Sequence, residues 1–323
     1  MRRRPPRHEE ELAGIERLMR FIELFREYQD YSKILSTYTK FPITDGRVKG
    51  RYTIHGTKTG RLSSRDPNMQ NIPPSAKPLF VATGGQVLVQ ADYSNLELRV
   101  LAEISDDEPL RAVFAEGKNV HDENTKALFG LDETSEKWKS ARKASKTYVF
   151  GRNYGGGLRG IFERVSMAVP DLGLTFSRFV EADRRYREAH PAYAKWAEDT
   201  VARVRSTRTL HNAFGRVRFF LGRSDEIERT GLNFPIQSTA ADILNFALIR
   251  LLPALPPGAK LCATVHDSVI VECDEGQVKE VVGILRQAME APVEIGGRSV
   301  SFPVDIEVGP SWGDLSETTD TVR

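Results

Sequence analysis

The apolar residues Leu12, Ile15, Leu18, Met19, Ile22 and Phe25 recur at three- and four-residue intervals. That period predicts one long amphipathic helix from Glu9 to about Tyr38, with an apolar face that needs a partner. From Thr39 to Ala82 the period is lost, and the Gly, Pro, Ser and Thr content predicts short strands and loops. Gln86 to Ala91 is an apolar, β-rich run that reads as a buried strand ending at Asp92, and a helical pattern resumes at Leu96. The stretch from Val120 to about His190 is mostly helical, broken at Gly155 to Gly157 and punctuated by Pro170 and Pro191. Arg208 to Leu221 reads as a hairpin or extended basic arm, and Ser224 to Leu252 as a helix. Lys260 to Val265 and Ser268 to Cys273 have the β-branched content of a hairpin turning at His266-Asp267. A helix over Glu275 to Ala291 and a strand near Phe302 to Val308 complete the chain, and no internal repeat is evident. The order helix, sheet, helices, sheet predicts an α+β fold, an antiparallel core interrupted by a helical insertion.

Composition adds bounds. With 323 residues, 40% hydrophobic and 28% charged, the chain can bury the cores of two or three subdomains, and disorder is not the default. A net charge of +2, from 46 Lys and Arg against 44 Asp and Glu, does not by itself mark a nucleic-acid binder. Local clusters suit phosphate contacts better: Arg2 to Arg7, Lys137 to Lys146, and Arg203 to Arg223, where Phe214, Phe219 and Phe220 interleave. A solvated face is the commoner role of any one such run. Cys262 and Cys273 have neither CxxC spacing nor a nearby His pair, which excludes a zinc site and a disulfide framework. The Met1 to Arg4 start is followed by Pro5, Pro6 and Glu9 to Glu11 where a leader would be apolar, and no run approaches the ~18 apolar residues of a membrane span. A soluble, intracellular protein without a membrane partner is expected.

Three segments carry chemistry. In Asp92-Tyr93-Ser94-Asn95-Leu96-Glu97-Leu98-Arg99 a carboxylate ends a buried strand; in Val265-His266-Asp267-Ser268 another stands at a hairpin bend. If the two strands are neighbours, Asp92 and Asp267 can jointly hold two divalent ions ~3.5–4 Å apart, as in two-metal catalysis. Hard oxygen ligands point to Mg2+, with Mn2+ as the alternative. Taken alone, each Asp is more often a turn or N-cap residue. The third segment, Arg142-x-x-x-Lys146-x-x-x-Phe150-x-x-x-Tyr154-Gly155, puts four side chains along one helix face, two cations followed by two aromatics. That order suits a nucleoside triphosphate, with the cations on the phosphates and the rings against sugar and base. The bland reading is an amphipathic core helix with a basic end, stopped by the glycines.

In this order the three motifs resemble those of the family A DNA polymerases, the group that includes bacterial DNA polymerase I, and the resemblance runs from about Lys33 to Leu315. Thr59-Gly60-Arg61-Leu62-Ser63-Ser64, Pro67-Asn68-Met69-Gln70-Asn71-Ile72-Pro73 and Arg229-x-x-x-Asn233-x-x-x-Gln237-Ser238-Thr239-Ala240-Ala241-Asp242 also match. The resemblance implies a right-hand polymerase fold: a thumb remnant over residues 1–45, a palm over 46–115 and 206–323, and inserted helical fingers over 116–205. It implies template-directed addition of deoxynucleotides to a primer 3′ end with release of pyrophosphate. Asp92 and Asp267 become metal ligands, one ion activating the primer hydroxyl and the other binding the triphosphate. Lys146 becomes the general acid at the leaving group. Arg142, Lys146, Phe150, Tyr154 and Glu97 would bind the dNTP, and Arg61, Gln70, Asn71, Arg229, Asn233, Gln237 and His266 the primer-template, largely from the minor groove, where readout is degenerate. Glu97 near the Tyr154 ring would exclude a ribose 2′-hydroxyl, and Phe150, where some relatives carry Tyr, implies poor use of dideoxynucleotides.

The chain departs from the family pattern in places. Ser268 stands where a glutamate usually follows the second aspartate, Pro74 to Leu79 is shorter than usual, and Gly156-Gly157 replaces Met-Ser. With little thumb and no room for an upstream exonuclease domain, the expectation is synthesis without proofreading, low processivity, and docking of a separately encoded thumb or exonuclease subunit on the Leu12 to Phe25 helix. The size suggests a phage or mobile-element protein, in the cytoplasm of a bacterial or phage-infected cell. A non-catalytic DNA-binding subunit, for which Ser268 speaks, and a single-subunit RNA polymerase, against which Glu97 speaks, are the competing readings.

Overall fold

The computed structural model describes residues 7–317, with the side chains of residues 7–13 and of residue 225 outside that description. The Arg2 to Arg7 cluster and the Leu12 side chain therefore lie outside the described residues. Ten α-helices are described: α1 (Arg7–Ser36), α2 (Leu96–Ile104), α3 (Glu108–Ala115), α4 (Val120–Phe129), α5 (Trp138–Asn153), α6 (Leu158–Ala168), α7 (Phe176–Ala189), α8 (Pro191–Thr207), α9 (Ser224–Ala254) and α10 (Val278–Met289).

The main sheet has five antiparallel strands, and Gln86–Tyr93 is its central one. On one side it pairs with Ser268–Asp274, which turns back as a hairpin with Lys260–Val265; on the other it pairs with Val304–Ser311, followed by Asp314–Glu317. The central strand is near-continuously apolar because both faces are covered. Val87, Val89, Ala91 and Tyr93 point to one face, where α9 and α10 close the largest core with Ile243, Leu244, Val281 and Leu285. Leu88 points to the other, into a smaller cluster with Tyr38, Ile72, Ile270 and Trp312. The two-residue alternation of a strand then puts Gln90 and Asp92 on the Leu88 face, toward its open end. Each fully buried Val or Leu in these layers contributes about 1.5–3 kcal/mol of transfer free energy, so the sheet is a stiff base for whatever its open end carries.

The helical insertion has its own core around Tyr148, Phe179, Tyr186 and Ile161. Helix α2 joins the two cores, since Leu96 and Val100 belong to the sheet core while Leu98 and Leu101 belong to the insertion. Asp107 fixes the insertion's ends together: it caps α3 through Leu110 N at 3.0 Å and accepts Tyr193 N of α8 at 3.1 Å.

Two readings change in detail. Helix α1 forms with Ile15, Leu18, Met19, Ile22 and Phe25 exposed, but Phe21, Leu24, Tyr28, Tyr31 and Leu35 are exposed as well, and Phe21 stacks on Phe25 with ring centroids 6.0 Å apart. The apolar surface is therefore broader than one stripe, and the C-terminal end of the helix meets the body through Ile34. The aromatics of the 203–223 basic stretch are mostly spent on packing: Phe220 stacks edge-on against Phe234 and Phe214 against Phe246, leaving Phe219 exposed. The strands also run slightly past their predicted ends, to Tyr93 and to Ser311, because ladder pairing continues there.

Candidate active site

The open end of the sheet holds both predicted carboxylates. Asp92 lies opposite Ser268 in the ladder, so Asp267, one residue earlier at the hairpin turn, is beside it, and Tyr93 N donates to the Asp267 carbonyl at 3.4 Å. The turn brings His266 into the left-handed region at φ 55°, a conformation that costs a non-glycine residue of order 1–3 kcal/mol and is held by the paired strands. A cleft of about 520 Å3 opens here, lined by Arg61, Lys77, Asp92, Glu97, Phe150, Tyr154, His266 and Asp267 among others.

Within it a polar chain connects the sheet to the helices. Arg61 Nη2 donates to Asp267 Oδ1 at 3.1 Å and to Glu97 Oε1 at 2.7 Å. Tyr154 Oη donates to Glu97 Oε2 at 3.4 Å, and Gln237 Nε2 donates to Tyr154 Oη at 2.8 Å. Arg61 is aimed by its loop: Asn245 Nδ2 holds the Gly60 carbonyl at 3.2 Å, and the Arg216 guanidinium, paired with Asp242, lies where a Gly60 side chain would be. At the far side Gly155, φ 67°, brings α5 onto α9 so closely that a Cβ would come within 2.5 Å of the Arg229 backbone. The glycine therefore does more than stop a helix; it lets Tyr154 and Gln237 meet.

Charge in the cleft is unbalanced. Burial, with the neighbouring charges of Asp267, Asp305 and Glu307, pushes the Asp92 carboxyl up from 3.8 to about 6, while Lys77 pulls the other way. Burial raises Glu97 as well, against the opposing pull of Arg61. Burial disfavours the Arg61 cation, but Asp267 and Glu97 outweigh it and hold the guanidinium above its ordinary value. Burial is the larger cause at Asp92 and Glu97, and the neighbouring carboxylates add to it in the same direction.

Helix α5 arranges its residues as the four-residue spacing requires. Phe150 and Tyr154 are partly exposed at the cleft, with Lys146 and Arg142 one and two turns back. Arg142 is ion-paired with Asp122 of α4, and Lys146 makes no ion pair among the described residues. Reasoning from the sequence placed helix from Val120 onward but gave α4 no part in the site. His121, whose ring centroid is 6.3 Å from that of Phe150, faces the same cations; burial, then Lys146 and Arg142, push its imidazole down to about 4, so it is neutral near pH 7. Its Nδ1 is buried and unpartnered. A lone histidine near a helix start has no sequence signal that would single it out.

The other predicted residues are dispersed. Arg229 lines an adjoining hollow with Phe150, Tyr154 and Arg164, and Asn233 has a buried, unpartnered Nδ2 on the same helix. Gln70 is committed to the backbone, accepting Ser64 N at 3.1 Å and donating to the Thr264 carbonyl at 3.3 Å. The Asn71 side chain is exposed while its carbonyl accepts Tyr38 Oη at 3.0 Å. Ser268 is buried and donates its hydroxyl to the Val265 carbonyl at 2.9 Å.

An α+β architecture in which paired carboxylates on an antiparallel sheet face a cationic and aromatic helix defines the class: a right-hand polymerase fold. The family model for DNA polymerase family A matches residues 3–314, and the chain belongs to that family. It is 35% identical over 311 residues to the thermostable DNA polymerase I of Thermus filiformis, covering 90% of this chain and 36% of that protein. It is 31% identical over 313 residues to DNA polymerase I of Deinococcus radiodurans, covering 91% and 32%. The chain thus spans about a third of the length of these relatives. Among solved structures, the polymerase domain of Pol1 from M. smegmatis, in complex with DNA primer-template and dNTP, matches with a TM-score of 0.79 at 26% identity, covering 89% of this chain and 52% of that one.

Proposed function

We propose that this chain copies a DNA template by adding deoxynucleotides to a primer 3′ end, releasing pyrophosphate. The observation that carries the reading is the continuous chain from Asp267 through Arg61, Glu97 and Tyr154 to Gln237. It ties a carboxylate suited to a divalent ion to a glutamate and ring suited to judging the sugar.

The donor set fits such ions. Magnesium is usually bound by one or two carboxylates together with substrate phosphates, not by an all-protein cage. Asp92 and Asp267 are such a pair, and among the described residues no three His, Cys, Asp or Glu side chains could hold a metal unaided. When bound, a divalent pair there would lower the pKa of the attacking hydroxyl and offset charge on the triphosphate. The chain's own groups do the rest. Arg142 and Lys146 attract the phosphates, with Asp122 holding the Arg142 guanidinium until a phosphate competes for it. Lys146 donates a proton to the departing pyrophosphate. Phe150 and Tyr154 flank the sugar and base, and Glu97, fixed by Arg61 and Tyr154, fills the space of a 2′-hydroxyl. His266, Arg61, Arg229, Asn233 and Gln237 approach the primer-template, as would Gln70 and Asn71 at the edge of the site. The palm would comprise residues 46–115 and 206–323, the fingers 116–205, and the thumb remnant 1–45, whose exposed apolar rows suit a further thumb or exonuclease polypeptide. Such work belongs in the cytoplasm of a bacterial or phage-infected cell; no helix of the described residues is long and apolar enough to cross a membrane.

The test is magnesium-dependent extension of a labelled primer-template, with dNTPs and rNTPs in parallel and Asp92→Ala as control. Extension with dNTPs alone, lost in the control, supports the reading; DNA binding without extension overturns it in favour of a non-catalytic subunit, the reading that the buried Ser268 favours. A mismatched primer in the same reaction checks the expected lack of proofreading, which retention of the 3′-terminal label would support.

A further inference from the structure

The Pro74–Leu79 segment, one of the departures from the family pattern, contributes one charged side chain to the cleft, that of Lys77. The segment is a short 3-10 helix in which Ala76 is fully buried, Ala76 N donates to the Pro73 carbonyl at 2.9 Å and Phe80 N to the Lys77 carbonyl at 3.0 Å. The turn between the last two strands pins it. Trp312 N donates to the Phe80 carbonyl at 2.8 Å, and the Gly313 backbone lies so close to Pro78 that a Cβ there would come within 2.4 Å of the proline ring. The main chain of Lys77 is therefore fixed, unlike that of an ordinary surface lysine.

The side chain is placed but not neutralised. Lys77 Nζ lies 5.0 Å from the centroid of the Trp312 ring. That indole is itself held, being buried, with Nε1 donating to Gln90 Oε1 at 3.0 Å and Phe80 edge-on against the ring at 5.8 Å. Asp92 feels the ammonium's charge but does not pair with it, and Lys77 makes no ion pair or side-chain hydrogen bond among the described residues. A ring face attracts a cation only weakly and leaves all three N–H donors of the ammonium unused. Arg61, the other Lys or Arg lining the cleft, is already bonded to Asp267 and Glu97.

Gln90 precedes Asp92 by two residues on the same face of the central strand. Lys77, on the ring bonded to Gln90, thus stands behind Asp92, whereas α5 and its cations lie beyond the strand's end, across Glu97 and Tyr154. An anion at Lys77 is on the opposite side of Asp92 from a triphosphate at Arg142 and Lys146. It belongs to the strand whose 3′ end reaches Asp92.

Resting on the reading of the chain as a primer-extending polymerase, we propose that Lys77 is a further substrate-binding residue, whose ammonium takes the 3′-terminal phosphodiester of the primer strand and so holds the primer end over Asp92 and Asp267.

Fluorescence anisotropy of the full chain on a labelled primer-template, without dNTP and over a salt series, tests this with two primers, one natural and one whose 3′-terminal linkage is an uncharged methylphosphonate. Lys77→Gln is expected to weaken binding of the natural primer about tenfold at ~50 mM salt and to flatten the salt dependence by about one counterion. Lys77→Arg is expected to restore most of that loss, and Lys77→Gln to leave binding of the methylphosphonate primer unchanged. Circular dichroism confirms that each variant is folded. Equal losses on both primers, or no loss on either, overturn the proposal, as does a raised KM for dNTP with unchanged DNA binding. If the parent itself fails to extend the natural primer with magnesium and dNTPs, the polymerase reading falls and this proposal with it.

Discussion

The open end of the sheet and the aromatic end of α5 both line the candidate active-site cleft, yet they are assembled by different physics. Asp92, Asp267, Ser268 and Asp305 come together through strand pairing among segments far apart in the chain, and each is held by a ladder on a closed core. Arg142, Lys146, Phe150 and Tyr154 are aligned by one helix, at a spacing fixed by its own period. The sheet end concentrates like charge on a rigid support, and α5 presents its opposite charge on a helix whose far end meets α9 at the Gly155 backbone approach and the Gln237–Tyr154 hydrogen bond. Ligand charge should therefore be decisive at the first region and graded at the second.

The largest expected effect tests the sheet end. Asp92→Ala should lower primer extension by on the order of 10³-fold, comparable to losing a preorganised electrostatic group, while leaving the far-ultraviolet circular dichroism unchanged. Next is the helix: Lys146→Ala should slow single-turnover incorporation by about 10²–10³-fold, within the range of a general acid. A loss in dNTP affinity alone would reduce Lys146 to a binding group and blur the contrast. Glu97→Ala belongs to both regions because it breaks the chain between Arg61 and Tyr154; discrimination against ribonucleotides should fall by about 10–200-fold in paired single-nucleotide assays.

Two smaller effects concern stability. Gly155→Ala places a Cβ against the Arg229 backbone at positive φ and should cost about 1–3 kcal/mol in chemical denaturation, with a larger penalty if α5 cannot shift. The pH dependence of the metal-free chain should be smaller still, since Asp92 is partly exposed and solvent screens it. Its folded-state pKa is raised, so the stability it contributes is fully present below about 3.8 and is lost as the pH rises through about 6. Melting curves in chelator should show this slope in the parent and a flatter one in Asp92→Asn.

The sequence on its own determined the order of elements, the strand ending near Asp92, the hairpin at His266-Asp267 and the shared face of α5, because each follows from local period or turn chemistry. Arg61 was legible as a site residue through its motif, but its position between Glu97 and Asp267 depends on a loop held by Asn245 and Arg216. The breadth of the apolar surface on α1 was not legible, since the period picked out one row and passed over Phe21, Leu24 and Tyr28 beside it. Neither His121 nor Asp305 carried any signal, one being a lone residue on a neighbouring helix and the other a strand residue distant in sequence from both motifs. Tertiary structure alone decided those neighbours, because strand register and helix packing are set by the whole buried core and bring together groups that no local pattern relates.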